Sequence, residues 1–191
     1  ASSRIALVIG NGAYRSAPLK NPVNDAGDMA NVLMESGFKV TLKINASQKE
    51  METAMRSFGK KLRVGGIGLF YYAGHGLQLN GTNYLIPVDA QIETESDVKY
   101  EAVDAGRILG KMEDAGNNLN IVILDACRNN PFARSFRSSV TGLARMDAPT
   151  GSLVAYATAP GELAADGDGR NGIYSKHLIQ NIRMSGLTIE Q

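Results

Sequence analysis

The chain has 191 residues, 43% of them hydrophobic, and 20 basic against 19 acidic side chains leave a formal net charge of +1. That length fills one core and is short for two, so residues 1–191 read as a single domain. The near-neutral balance offers no basic field to nucleic acid or anionic lipid, and no apolar run is long enough to span a bilayer, so neither partner is expected.

RIALVIG (residues 4–10) is rich in branched residues and closes on Gly10 and Gly12, which reads as a buried strand and a turn. Ala26, Met29, Ala30 and Leu33 then share one helical face, with Pro22 at its start and Gly37 just past its end. KVTLKI (39–44) alternates Val40, Leu42 and Ile44 with Lys39, Thr41 and Lys43, the pattern of an edge strand with one apolar face. Ser47 and Glu50 have capping-box spacing, and Met51, Ala54, Met55 and Phe58 follow at helical period. GIGLFYYA (66–73) is apolar throughout, as a strand covered on both faces must be. Asn80-Gly81 predicts a small hairpin after this third strand. Ile108, Leu109 and Met112 mark a third helix, NIVILDAC (120–127) a fourth strand, and GSLVAYATAP (151–160) a fifth. Tyr174, Leu178 and Ile182 give a last helix. Between them, 128–150 is polar, bears Arg134, Arg137 and Arg145, and has no period, as expected of a mobile loop.

Strands alternating with helices require parallel pairing through right-handed crossovers, hence an α/β fold, a three-layer α/β/α sandwich. The edge character of the second strand gives the order 2-1-3-4-5. In such sheets ligands bind beyond the carboxyl ends of the strands. YYAGHG (71–76) carries His75 just past one such end, and ILDACRNN (123–130) carries Cys127, the chain's one cysteine, at the next. A lone cysteine is ordinarily a small core hydrophobe, and a lone histidine such as His177 in the last helix is ordinarily structural. An imidazole and a thiol on adjacent strand ends are different. The imidazole stabilises the thiolate, which is the nucleophile, and then returns a proton to a leaving amine. Gly74 and Gly76 flank the histidine, leaving backbone that a substrate can approach and an N–H to meet an oxyanion.

On these residues the chain resembles the caspase-like cysteine peptidases, in the bacterial metacaspase and orthocaspase branch. YYAGHG resembles that family's histidine motif, LDAC its cysteine motif, and LKNPVNDA (19–26) the early segment ending in Asn-Asp-Ala. His75 and Cys127 are also about 50 positions apart, as in caspases. The resemblance implies Cys127 as nucleophile, His75 as general acid and base, and the backbone N–H groups of Gly76 and Cys127 as an oxyanion hole. It further implies Asp25 and Asp125 as acidic residues of the first substrate pocket, hence peptide or protein substrates with Arg, or more weakly Lys, before the scissile bond. Metacaspase-like members also tend to be monomers. The chain departs from the pattern at Asn21, Pro22, Ala73, Arg128 and Asn129, and Asp125 stands where caspases carry Gln.

Asp125 lies two positions before Cys127 and so shares its strand face. A carboxylate there disfavours ionisation of the thiol until a guanidinium pairs with it. Asp25 reads equally as a helix-start acid facing the macrodipole, and Asp125 as a carboxylate binding a backbone turn. Arg134, Arg137 and Arg145 are candidates for self-cleavage in the 128–150 loop.

The rival is a catalytically silent binding or scaffold module of the same fold. GNGAYR (10–15) lacks the third glycine of a dinucleotide loop, and one cysteine with two distant histidines cannot make a zinc site. Metacaspases are often calcium-activated, and ADGDGRNG (165–172) gathers acids and glycines, but without EF-hand spacing, so no metal or cofactor is assigned. Thr188 and Gln191 have capping-box spacing, as if another helix were to follow. The chain starts ASSRIAL, without Met, as a trimmed or processed chain would, and cytoplasmic and exported locations both stay open.

Overall fold

The structure is a computed structural model and describes residues 3–127, 132, 142–157 and 169–183. Five parallel strands form the body of the sheet: β1 (Arg4–Gly10), β2 (Lys39–Ile44), β3 (Ile67–Leu79), β6 (Leu119–Cys127) and β7 (Ser152–Tyr156). Their order is β2-β1-β3-β6-β7, the predicted order of the five main strands. Helices α1 (Pro22–Glu35) and α5 (Ile173–Ile182) cover one face, and α2 (Gln48–Lys61) and α4 (Gly106–Asp114) cover the other.

The inner strands are apolar on both sides because each side has its own core. Leu7, Ile9, Phe70, Tyr72, Val122 and Leu124 pack against Met51, Met55, Phe58, Ile108 and Met112. Val8, Leu69, Tyr71, Ile121 and Ile123 pack against Ala26, Met29, Ala30, Leu33 and Ile179. Helix α2 begins at the expected capping box, in which Glu50 Oε2 accepts from Ser47 N and the Ser47 hydroxyl accepts from Glu50 N. Strand β2 lies at the edge as expected, and on its apolar face Leu42 and Ile44 remain 40% and 39% exposed. With neighbours on only one side, that face is only partly covered by α1.

The third strand is longer than expected. It does not stop at His75 but runs to Leu79, where Asn80 and Gly81, both with φ above +50°, turn it into β4 (Thr82–Leu85). Positive φ at both central residues is the hairpin turn that Asn-Gly adopts. Strand β4 then pairs with the two-residue β5 (Val103–Asp104), which follows the single-turn helix α3 (Val98–Glu101). This antiparallel arm encloses a third small core of Tyr14, Leu77, Tyr84, Ile86, Ile92 and Val98. Among the described residues no helix is long and apolar enough to cross a membrane. Residues 128–131, 133–141 and 158–168, which carry Arg128, Asn129, Arg134 and Arg137 and part of the acidic glycine-rich loop, lie outside the described residues, as do Thr188 and Gln191.

Candidate active site

The end of the parallel ladder between β3 and β6 brings the two reactive positions together. His75 and Cys127 are direct partners in the parallel pairing, the last pair of that ladder, so their backbones lie one strand spacing apart, about 4.8 Å. Alternation assigns positions 123, 125 and 127 to the face covered by α1 and α5.

His75 is almost wholly buried, at 2% exposure, and several groups hold it. Its Nε2 is 2.7 Å from the carbonyl oxygen of Ala17. A carbonyl only accepts, so Nε2 carries the proton, and in the neutral ring Nδ1 is the basic nitrogen. Ala17 has φ +54°, an unfavourable conformation for a residue with a Cβ, which here aims its carbonyl at the imidazole. The Tyr14 hydroxyl accepts from the His75 backbone N–H at 2.9 Å, and the Tyr72 hydroxyl donates to the His75 carbonyl at 2.7 Å. Tyr14 also lays its ring 4.4 Å from the imidazole, tilted by 50°.

The flanking glycines are required by packing. A Cβ at Gly74 would stand 2.6 Å from the Tyr72 hydroxyl and 2.7 Å from that of Tyr14. At Gly76 it would stand 2.9 Å from Ala126 Cβ. The close approach expected of a substrate is thus made, on these sides, by the protein itself. Ile86 N–H donates to the His75 carbonyl at 3.0 Å, so the backbone groups of His75 face β4, and alternation turns the Gly76 N–H toward β6 and its end at Cys127.

Asp25 and Asp125, distant in sequence, meet at the start of α5. A Cβ on Gly172 would lie 3.1 Å from Asp25 Oδ2 and 3.9 Å from Asp125 Oδ2, so both carboxylates border one small space. The Gly172 N–H donates to both oxygens of Asp25, at 3.0 and 3.2 Å. The Ser175 hydroxyl donates to Asp125 Oδ2 at 2.5 Å, and the Tyr71 hydroxyl lies 3.3 Å from the same oxygen. Burial first, and then Asp125 and Asp25, push the Tyr71 phenol well above its usual range. Burial and Asp125 push Tyr174 up to about 12. Both phenols therefore stay protonated, and the Tyr71 hydroxyl remains in hydrogen-bond reach of Asp125 and Ser175. Around these carboxylates Asn24 donates to the Arg170 carbonyl, and Arg170 and Asn171 both donate to Asp28, tying 170–172 to α1.

The remaining sequence expectations find plain places. His177 is exposed on α5. The N–H groups of Gly12 and Ala13, which a dinucleotide loop would offer to phosphate, donate instead to Asn45 Oδ1 at 2.9 and 3.0 Å. Asn11 is fully buried and braces Ala46 and Ile86. Sequence reasoning missed Tyr14, Ala17 and Ser175. Tyr71 and Tyr72 stood inside the histidine motif, and their adjacency there was the available signal.

A caspase-domain family model matches residues 3–191. The human mucosa-associated lymphoid tissue lymphoma translocation protein 1 is 32% identical over 182 residues, covering 93% of this chain. Its mouse homolog is 31% identical over the same length. The chain spans 21% of the length of each. The crystal structure of protein GSU0716 from Geobacter sulfurreducens superposes with a TM-score of 0.66 at 17% identity, covering 93% of this chain and 81% of that one, a likeness of fold alone.

Proposed function

Because the chain belongs to the caspase-domain family, we propose that it is a metacaspase-like cysteine endopeptidase in which Cys127 and His75 form the dyad and cleavage follows Arg, with Lys weaker. The observation that carries the specificity is the meeting of Asp25 and Asp125 around Gly172, on the sheet face to which position 127 belongs. Two carboxylates bordering one space suit a planar guanidinium, which pairs bidentately where an ammonium acts as a point charge.

In the reaction His75 Nδ1 takes the thiol proton and Cys127 attacks the carbonyl carbon of the substrate. The N–H groups of Gly76 and Cys127 receive the oxyanion. The imidazolium then gives its proton to the departing amine, and water, activated by the same nitrogen, hydrolyses the thioester. The Ala17 carbonyl keeps the other nitrogen protonated throughout, so a single nitrogen handles both transfers. In the empty site Asp125 opposes thiolate formation, and the bound guanidinium offsets that opposition, so substrate helps to activate the nucleophile.

The test is a panel of peptides with Arg, Lys or Asp before the scissile bond, assayed on the parent and on Cys127→Ala. Arg is cleaved best and Cys127→Ala is silent. Preference for Asp overturns the pocket assignment, and turnover by Cys127→Ala overturns the nucleophile. An inactive parent leaves the family fold serving as a binding module.

A further inference from the structure

A second recess is walled in part by Tyr14, whose ring packs against the histidine. It is a cavity of about 250 Å³ between the turn after β1 and the segment after β4. Tyr14, Ile86, Val88, Ala90, Ile92 and Phe132 give it an apolar lining, while the exposed Arg15, Gln91 and Glu93 stand around it. It shares no lining residue with the carboxylate site at Gly172.

Three of its walls belong to the catalytic apparatus. The ring of Tyr14 lies 4.4 Å from the imidazole. Ile86 donates its N–H to the His75 carbonyl. Phe132 follows Cys127 by five positions, so the segments carrying both reactive residues contribute to one cavity. Across the sheet, Asp125 lies on the β6 side of β3, whereas the cavity lies on the side of β1 and β4.

Resting on the peptidase reading, we infer that this cavity is the subsite for the residue that follows the scissile bond, and that it takes a large apolar side chain such as Leu, Met or Phe. The chemistry fixes which residue enters. The amine that leaves must receive its proton from His75, so the residue bearing that amine lies against the imidazole while the preceding Arg fills the acidic site. A cavity of this size admits one large side chain. Its aliphatic and aromatic floor suits an apolar side chain, and the charges of Arg15 and Glu93 stand at its exposed rim.

Internally quenched peptides that hold Arg before the scissile bond and vary only the next residue among Gly, Ala, Leu, Met, Phe, Asp and Lys test this directly. Leu, Met and Phe exceed Gly by about tenfold in kcat/KM, as a filled apolar pocket allows, and neither Asp nor Lys gains on Gly. Filling the cavity with Ala90→Trp collapses the ratio of Leu to Gly toward one. Val88→Ala, which enlarges it without adding bulk, shifts the optimum from Leu toward Phe and covers the case in which Ala90→Trp does not fold. A parent that cleaves after Arg with a flat profile, or with Gly best, overturns the subsite and leaves the peptidase reading standing. A parent inactive on every peptide overturns both.

Discussion

Replacing Gly74 by Ala tests how the histidine is held. The added methyl would stand 2.6 and 2.7 Å from the hydroxyls of Tyr72 and Tyr14, where ordinary contact begins at 3.4 Å. It would also demand φ +155° from a residue with a side chain. Overpacking of this kind costs about 1–3 kcal/mol, and an unfavourable backbone conformation about 1–3 more. A loss of about 2–6 kcal/mol is expected, which a domain of ordinary stability survives in weakened form. The displaced hydroxyls are those that hold the His75 N–H and carbonyl, so kcat on an Arg peptide falls by about tenfold to a hundredfold even in the folded fraction. Urea unfolding measures the first effect and steady-state turnover at saturating peptide the second. The cause is isolated by repeating the substitution in a Tyr14→Phe, Tyr72→Phe background, where the backbone strain and the 2.9 Å approach to the Tyr72 ring carbon persist but the hydroxyls are gone. There Gly74→Ala costs at least about 1 kcal/mol less. An equal cost in both backgrounds, or a cost below about 0.5 kcal/mol in the parent, refutes the explanation.

Asp125→Asn and Asp25→Asn each lower kcat/KM for Arg peptides by about tenfold or more, read as the Arg-to-neutral substrate ratio, because each removes one charge from the guanidinium's partners. Tyr174 has its folded pKa raised to about 12 above an unfolded value near 10. Its contribution to stability is therefore fully present below pH 10 and lost as pH rises toward 12, by about 2–3 kcal/mol, and Tyr174→Phe flattens that stretch of an unfolding-versus-pH curve. Ser47→Ala breaks the capping box of α2 and costs about 1 kcal/mol in denaturant unfolding while leaving peptide selectivity unchanged. If the 128–150 loop is self-cleaved, with the exposed Arg145 as one described target, parent protein shows fragments on a denaturing gel that Cys127→Ala lacks. Identical patterns remove the idea.

Local pattern sufficed for much of this protein. Largely apolar runs at 4–10, 66–73 and 120–127 read as strands covered on both sides, and the alternating 39–44 run as an edge, so layers and strand order followed from periodicity. That His75 and Cys127 stand on neighbouring strands was legible because each interrupts an apolar run with a reactive group. Asp125 was legible as a face-sharing neighbour of Cys127. What only the tertiary structure decided depends on long-range meetings that no period encodes. Asp25 and Asp125 converge through Gly172, 147 residues from Asp25 along the chain. Tyr14 reaches His75 across 61 residues, and Ala17 offers its carbonyl from a strained turn. The continuation of β3 into its hairpin needed β4 as a partner, since a strand's end is set by where its backbone hydrogen bonds run out. Periodicity reports which face is buried, whereas the identity of the atoms facing one another across the rim emerges only when separate elements dock.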